Sequence, residues 1–381
     1  MTFNSPIEAQ KTFLRAEQVD VMPGKVVGFF RSPKFLELAF VATFFGLIYL
    51  FIAESQFYIY RDVFIYGNAD WGDQPDVNYD LLNYTRLVPT LLSRLVSGLV
   101  GGGDVAAAAT YFLFQGFFWA TFVAFYYYLK EFSFPPVTCL LGTTVLVLLP
   151  AASTSGDPSL GIGPGNGLDY LVVLLQLYYV KKDNFRAFVV VSAVGVFVKE
   201  IAVFQFVTYF VLKWKEEGWP FWRTVKQCLP LGAIAAGYLA YRLYWTSRMP
   251  YDVFATGMFN PERFGDWFSI NSLFHYAAIF GPLWLLVLPG YFYNVEKEEY
   301  GHSLLKLPAV ATALVTLAFG ATFALLYEVD KLFPLFPFVV PLSLVTIQEL
   351  VKRFSKPSRE DPETRPERPA PATEESTGRT P

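Results

Sequence analysis

Long apolar stretches recur along the chain, and shorter polar segments separate them. Two of them, Leu38–Ala53 and Leu307–Leu326, contain almost no charged residues. About 20 consecutive apolar residues are enough for a helix to cross the hydrocarbon core of a bilayer. The pattern therefore predicts an all-α, polytopic membrane protein with about 10 membrane helices, including a short hairpin. The predicted stretches are Leu36–Ala53, Ala106–Tyr128, Phe134–Ala152, Leu168–Val180, Ala187–Leu212, Leu229–Trp245, Leu273–Tyr293, Leu307–Leu326 and Leu332–Leu350.

The low content of charged residues supports this interpretation. The 381 residues are 54% hydrophobic and 17% charged, whereas a soluble domain carries about 25% charged residues. A soluble enzyme with a very large core is the alternative, and the nearly uncharged stretches argue against it. The net charge of −3, without a basic cluster that interleaves with aromatics, argues against a nucleic-acid partner.

Cysteine and histidine are too few and too scattered to indicate common site types. Cys139 and Cys228 fall within or beside apolar stretches, which predicts buried thiols and not a disulfide framework. His275 and His302 are the only histidines and lie far apart in sequence. A histidine-based metal site or a Ser-His-Asp triad is therefore not expected.

Charge asymmetry predicts the domain limits and the orientation. Residues 1–35 form a polar arm with five cations, so we expect this arm on the cytoplasmic side. Residues 36–353 form the membrane domain, which includes an acidic outer loop at 54–104. Residues 354–381 are rich in Pro, Glu and Arg, and such a composition cannot bury a core, so we predict a disordered cytoplasmic tail. The predicted protein is thus an integral, multi-pass membrane protein with both termini cytoplasmic.

The stretch Ala187–Leu212 decides the orientation of everything after it, because Lys199-Glu200 interrupts its middle. A single crossing places the basic loop Lys213–Lys226 outside, against the positive-inside rule. A hairpin of two short helices, with Lys199-Glu200 at its outer tip, restores the rule. We predict the hairpin, which puts the acidic loop, the tip and Asp330-Lys331 on one non-cytoplasmic face.

The outer loop carries an unusual concentration of carboxylates. Asp70, Asp73, Asp76 and Asp80 lie among aromatic residues, before an amphipathic run that is too polar and too short to span a bilayer. A carboxylate near a partly dry membrane face can act as a general base on a hydroxyl, or can bind a cation. The alternative is a solvated loop whose Asp and Asn residues make turns. Asp73 and Asp76 are favoured because they flank Pro75, which stiffens the loop.

The cations near this face have two interpretations each. Arg86 lies where the loop meets the amphipathic run Leu87–Val100, and its guanidinium there either binds phosphate bidentately or anchors in the lipid headgroups. Lys199 and Glu200 are ionisable residues within apolar sequence, which is typical of functional sites. Their alternative is an internal ion pair that fixes the hairpin.

Three further ionisable residues are candidates for substrate contacts. Asp169 opens the fourth stretch, where the helix dipole alone also favours an acid. Asp330 and Lys331 either form an outer rim for a ligand or belong to a hydrated turn.

In sequence order, these features resemble the GT-C class of membrane glycosyltransferases, which use polyprenyl-phosphate-linked sugars. The similarity covers roughly residues 36–345 and depends on short motifs. These are the acidic outer loop with its amphipathic helix, Arg86-Leu-Val-Pro89, a short fourth stretch that opens with Asp169, Val198-Lys199-Glu200, and Asp330-Lys331 before Phe333-Pro-Leu-Phe-Pro337.

The resemblance implies a GT-C-like fold and transfer of a sugar to a hydroxyl acceptor at the non-cytoplasmic face. It implies that Asp73 or Asp76 is the base and that Arg86, Lys199 and Lys331 hold the donor phosphate. Membrane lipid and lipid-linked sugar are the expected partners. No cofactor is expected beyond the donor, and a divalent metal and protein partners are left open. A non-catalytic membrane scaffold and a transporter or flippase of a polar lipid or solute are the alternatives.

Overall fold

The computed structural model of the protein describes residues 32–60, 87–101, 103–153, 166–247, 270, 277, 280–323 and 332–355. Nearly all of these residues are helical, and no strand occurs among them. Eleven α-helices form this described part of the chain. They are α1 (Pro33–Tyr60), α2 (Leu87–Val100), α3 (Gly103–Lys130), α4 (Pro136–Ser153), α5 (Asn166–Lys181), α6 (Phe185–Gly195), α7 (Phe204–Val211), α8 (Phe221–Thr246), α9 (Leu283–Glu296), α10 (Leu307–Phe323) and α11 (Phe336–Ser355).

The all-α prediction is confirmed for the described residues, and each predicted apolar stretch contains at least part of a helix. One segment among them, Ala108–Lys130 in α3, is both long and apolar enough to cross a membrane, with a mean hydropathy of 1.4. The amphipathic run forms α2 over its predicted residues. The predicted acidic loop, 54–104, overlaps two helices of the structure, because α1 continues to Tyr60 and Asp104 lies inside α3.

The first long helix packs antiparallel to α3. Glu37, in the first turns of α1, lies 2.5 Å from the Lys130 ammonium at the last residue of α3. Tyr126 donates a hydrogen bond to the same carboxylate at 2.8 Å. Further along, Trp119 Nε1 donates to the Ala42 carbonyl at 2.9 Å. The far end of α1 therefore points away from Lys130.

The hairpin predicted for residues 187–212 is present as α6 and α7. Phe185 and Phe188 of α6 pack against Tyr209 of α7, with ring centroids 5.1 and 5.3 Å apart. At the base, Lys213 Nζ lies 2.7 Å from Asp183, so the two arms begin and end side by side. Lys199 is at the tip, directly before the 3-10 turn Glu200–Val203.

The positions of the described ion pairs distinguish the two ends of the helix bundle. Most lie at helix termini that meet at one end, which we name the charged end. They are Lys130–Glu37, Lys182–Glu131, Lys213–Asp183, Lys297–Glu349 and Lys352–Glu299. We name the opposite end, where the α6–α7 hairpin turns, the hairpin-tip end.

Aromatic rings fill the core between α3, α5 and α11. Phe336 at the start of α11 packs edge-on against Phe125 and Tyr170, with centroid distances of 5.1 and 6.3 Å. The Tyr128 hydroxyl donates to the Pro337 carbonyl at 3.0 Å. These contacts fix α5, which carries one of the candidate site residues, against two long neighbours.

The lowered pKa of His302 makes the stability of the charged end depend on pH. It lies between α9 and α10, and its ring packs edge-on against Phe132, with ring centroids 5.1 Å apart. Burial disfavours the charged imidazolium, and the positive charges of Lys181 and Lys306 repel it, so the pKa of His302 is lowered to about 4. The unfolded chain binds a proton near the ordinary pKa of 6.5, so the stability that neutral His302 provides is complete above that pH. It is lost as the pH falls from 6.5 towards about 4.

We therefore expect the melting temperature of the wild type, measured in detergent, to fall more steeply over this pH window than that of His302→Phe. The variant keeps an aromatic ring on Phe132 and cannot titrate. Parallel curves for the two proteins contradict the prediction.

Candidate functional site

A buried ion pair lies at the hairpin-tip end. Lys199 Nζ is 2.7 Å from the Asp169 carboxylate, and the two side chains are only 3% and 5% exposed. Taking both charges out of water costs free energy that only close pairing and further polar contacts offset. A buried pair of this kind is weak support for stability by itself and is a candidate for function.

Close packing of α5 on α3 fixes the position of Asp169. Gly167 lies in the first turn of α5, and a Cβ atom there would be 2.7 Å from the Phe118 nitrogen and 2.9 Å from the Phe114 carbonyl oxygen. Only glycine allows the two backbones to approach so closely. Thr121 Oγ1 of α3 also donates to the Gly167 carbonyl at 3.1 Å. The first turn of α5 is therefore held directly against α3.

Gln176 holds the hairpin against the same helix. It lies seven residues after Asp169, about two helical turns further along one face of α5. Its Nε2 donates to Ser192 Oγ in α6 at 2.8 Å and to the Ala202 carbonyl beyond the tip at 3.0 Å. One helix thus supplies the carboxylate for Lys199 and the amide that bonds both arms of the hairpin.

Two more helices contact the tip. The backbone N–H of Val88, at the start of α2, donates to the Phe197 carbonyl at 3.1 Å. The Phe197 ring packs edge-on against Tyr238 and Tyr241 of α8, at 5.8 and 5.4 Å. Arg86 precedes Val88 by two residues in the sequence.

Apolar residues lie beside the ion pair at the hairpin-tip end. A cluster of buried hydrophobic residues from α3, α5, the hairpin and α8 lies at this end, and α2 packs against it. In such surroundings charges interact more strongly than in water, and an unpaired charge is correspondingly more costly. The buried members are Phe114, Leu168, Val172, Val196, Val198, Ala202 and Tyr238.

The structure describes three of the predicted site residues. It brings Asp169 and Lys199 together, although 29 positions separate them in sequence. Glu200 is half-buried and opens the 3-10 turn. The interpretation of Asp169 as a helix-dipole acid was incomplete, because it also forms an ion pair. The other candidates lie outside the described residues, and these are Asp70, Asp73, Asp76, Asp80, Arg86, Asp330 and Lys331.

Sequence reasoning missed Gln176 and Thr121. Each is a polar residue inside an apolar stretch, and Gln176 shares a face of α5 with Asp169, so its spacing was the available signal. Within the described ranges, no group of three or more His, Cys, Asp or Glu side chains has an arrangement suited to a metal ion.

Replacing Gln176 tests whether it holds the hairpin. We expect Gln176→Leu to lower the free energy of unfolding by about 1–3 kcal/mol, because the buried Ala202 carbonyl and Ser192 hydroxyl both lose a partner. Ser192→Ala removes one of the two bonds, so we expect a smaller loss. Chemical denaturation in mixed micelles measures both, and an equal effect of the two variants contradicts this role.

Comparisons of the chain with known families, proteins and structures found no match. No model of a known protein family matches the chain. No curated protein matches it at a significant level. No solved structure matches it at a significant level either.

Proposed function

We propose that the protein is a multi-pass membrane glycosyltransferase of the GT-C type, with about 10 membrane helices. It transfers a sugar from a polyprenyl-phosphate donor to a hydroxyl acceptor at the non-cytoplasmic face. The observation that carries this proposal is the buried Asp169–Lys199 pair at the hairpin-tip end. The pair places a cation, oriented by a carboxylate, beside the start of α2.

Exposed apolar side chains on many helices support insertion into a bilayer. A soluble protein rarely leaves large apolar faces in contact with water, whereas helices that are apolar all round suit a membrane. Helices α1, α3, α4, α6, α8, α9 and α10 each expose at least one large hydrophobic side chain by more than half. Examples are Leu47, Phe112, Leu148, Val190, Leu239, Leu285 and Leu314.

The charge distribution supports the proposed orientation. Lys130, Lys182, Lys213 and Lys352 all lie at the charged end, which the positive-inside rule assigns to the cytoplasm. The hairpin brings α7 back to this end before α8 begins. Both chain termini belong to the same cytoplasmic side in this arrangement.

Chain connectivity relates the remaining candidates to Lys199. Helix α1 runs away from the charged end, and Val88 of α2 contacts the hairpin tip. The segment 61–86 connects α1 to α2 and contains the four loop aspartates and Arg86. Residues 324–331, which contain Asp330 and Lys331, follow α10, and α10 also starts at the charged end.

The proposed reaction uses these groups in complementary roles. Asp73 or Asp76 accepts the proton of the acceptor hydroxyl, whose oxygen forms a bond to the anomeric carbon. The bond from that carbon to the phosphate oxygen breaks, and the polyprenyl phosphate leaves with the electron pair. Lys199, Arg86 and Lys331 stabilise its negative charge. The apolar residues beside Lys199 strengthen this interaction, and Asp169 orients the ammonium before the donor binds.

The same ion pair also favours a second candidate, a non-catalytic membrane subunit. Asp169 already neutralises Lys199, and a satisfied buried pair can serve only to specify the hairpin. The two candidates differ in what the loop aspartates do. In a subunit without catalysis, these aspartates tolerate substitution.

Transfer of labelled sugar from a polyprenyl-phosphate donor tests the proposal. We expect Asp73→Asn or Asp76→Asn to lower the rate about 10²–10⁴-fold, as the loss of a general base does, while donor binding is retained. Glu131→Gln is the control, because this residue pairs with Lys182 at the charged end. Full activity in both aspartate variants contradicts the assigned base.

A further inference from the structure

A groove of about 560 Å³ lies between α4 and α11, near the charged end. This volume is within the range of small-molecule sites, about 300–1,000 Å³. Apolar side chains of the two helices form most of its wall. They include Leu141, Val145, Val340, Leu344, Ile347 and Val351.

The groove opens sideways from the bundle. Leu141 and Val351 on its two edges are 61% and 57% exposed, so the opening does not face another of the described helices. Gly142 brings the helices together behind it, since a Cβ atom there would lie 2.8 Å from Leu344 Cδ1. An apolar lateral opening suits a hydrocarbon chain.

The length of the groove matches one leaflet of a bilayer. Its lining residues extend from Pro135, directly before α4, to Val145 in α4, and from Val340 to Lys352 along α11. At 1.5 Å per residue, these spans are about 15 and 18 Å. Half of a hydrocarbon core that is about 30 Å thick is about 15 Å.

The end of the groove at the charged end carries one charge of each sign. Lys352 and Glu299 both line it, lie 3.1 Å apart, and are 48% and 54% exposed. An ion pair with this exposure contributes little to stability, so a ligand that bears both charges can replace it at little cost. Ser133 and Tyr300 complete the polar end.

We propose that this groove binds one phospholipid of the phosphatidylethanolamine class. One acyl chain occupies the apolar groove, the phosphate contacts Lys352, and the primary ammonium donates hydrogen bonds to Glu299. A choline headgroup has no N–H to donate, and an anionic headgroup without an amine leaves Glu299 facing negative charge. The proposal uses the membrane embedding of the proposed function but not its chemistry, because the groove lies at the end opposite Lys199.

Lipid retention tests this site directly. The full-length protein is reconstituted in equal parts of phosphatidylethanolamine, phosphatidylcholine and phosphatidylglycerol, extracted gently, and analysed by native mass spectrometry. We expect phosphatidylethanolamine to be enriched about two- to fivefold over each of the others, the scale of a solvent-accessible ion pair. The double variant Glu299→Gln/Lys352→Met removes the preference.

A variant that fills the groove tests the acyl chain. We expect Leu141→Trp to abolish lipid retention, whereas Leu148→Trp, on the same helix beyond the groove and 53% exposed, retains it. Equal retention of the three lipids, a preference for another of these headgroups, or unchanged retention in Leu141→Trp overturns the proposal. Unchanged melting temperatures show that the variants fold. Glycosyl transfer is measured separately, so failure of the proposed reaction does not affect this result.

Discussion

Replacing Asp169 with alanine is expected to destabilise the protein by about 3–5 kcal/mol. The substitution removes the carboxylate that neutralises Lys199, whose side chain is only 3% exposed. A buried ammonium that loses a carboxylate partner is far more costly than a surface charge that does so. Chemical denaturation in mixed micelles measures the difference in the free energy of unfolding.

The double variant Asp169→Leu/Lys199→Met is the control for this prediction. Apolar residues of similar size remove both charges together, and such exchanges are often neutral or stabilising. We therefore expect the double variant to recover most of the lost stability. A loss below about 1 kcal/mol in Asp169→Ala, the range of an exposed ion pair, contradicts the buried geometry.

Gly290→Ala is expected to cost about 3 kcal/mol or more, at or above the upper limit of the typical range for overpacked cores. Gly290 lies where α9 crosses α11, and a Cβ atom there would be 1.9 Å from the Leu342 carbonyl oxygen. This neighbour is backbone, so relief requires that a whole helix shifts. The melting temperature and the yield of folded protein measure the effect.

Gly232→Ala is the matched control for the packing at Gly290. Gly232 also lies inside a helix, α8, but a Cβ atom there meets nothing within 4 Å. Alanine in an open helical position is favoured by about 0.5–1 kcal/mol over glycine. Equal destabilisation by the two variants contradicts the described contact between α9 and α11.

The helix positions were largely predictable from the sequence, because the length of each apolar stretch can be read directly from the local composition. The hairpin was predictable for a different reason. Lys199-Glu200 interrupts an apolar stretch, and the basic loop after it fits the positive-inside rule only if the chain turns back. The helices α6 and α7, with Lys199 between them, agree with that reasoning.

The pairing within the site was not predictable. Asp169 and Lys199 are each visible as unusual polar residues, but their 2.7 Å contact depends on the packing of α5 on α3 and on the hairpin. Local sequence does not encode such long-range distances. The extension of α1 to Tyr60 was missed for a similar reason, because Glu54 and Ser55 look like a boundary when only polarity is considered.

Transfer of labelled sugar from polyprenyl-phosphate donors, by the wild type and by Asp169→Leu/Lys199→Met, is the most direct measurement. We expect the double variant to keep the fold, and it lacks the Lys199 ammonium. We expect the wild type to transfer sugar and the double variant to lose transfer about 10²-fold or more, as when one stabilising group for transition-state charge is removed. Equal transfer by both proteins, or no transfer and no donor binding by the wild type across several donors, contradicts a catalytic site at Lys199.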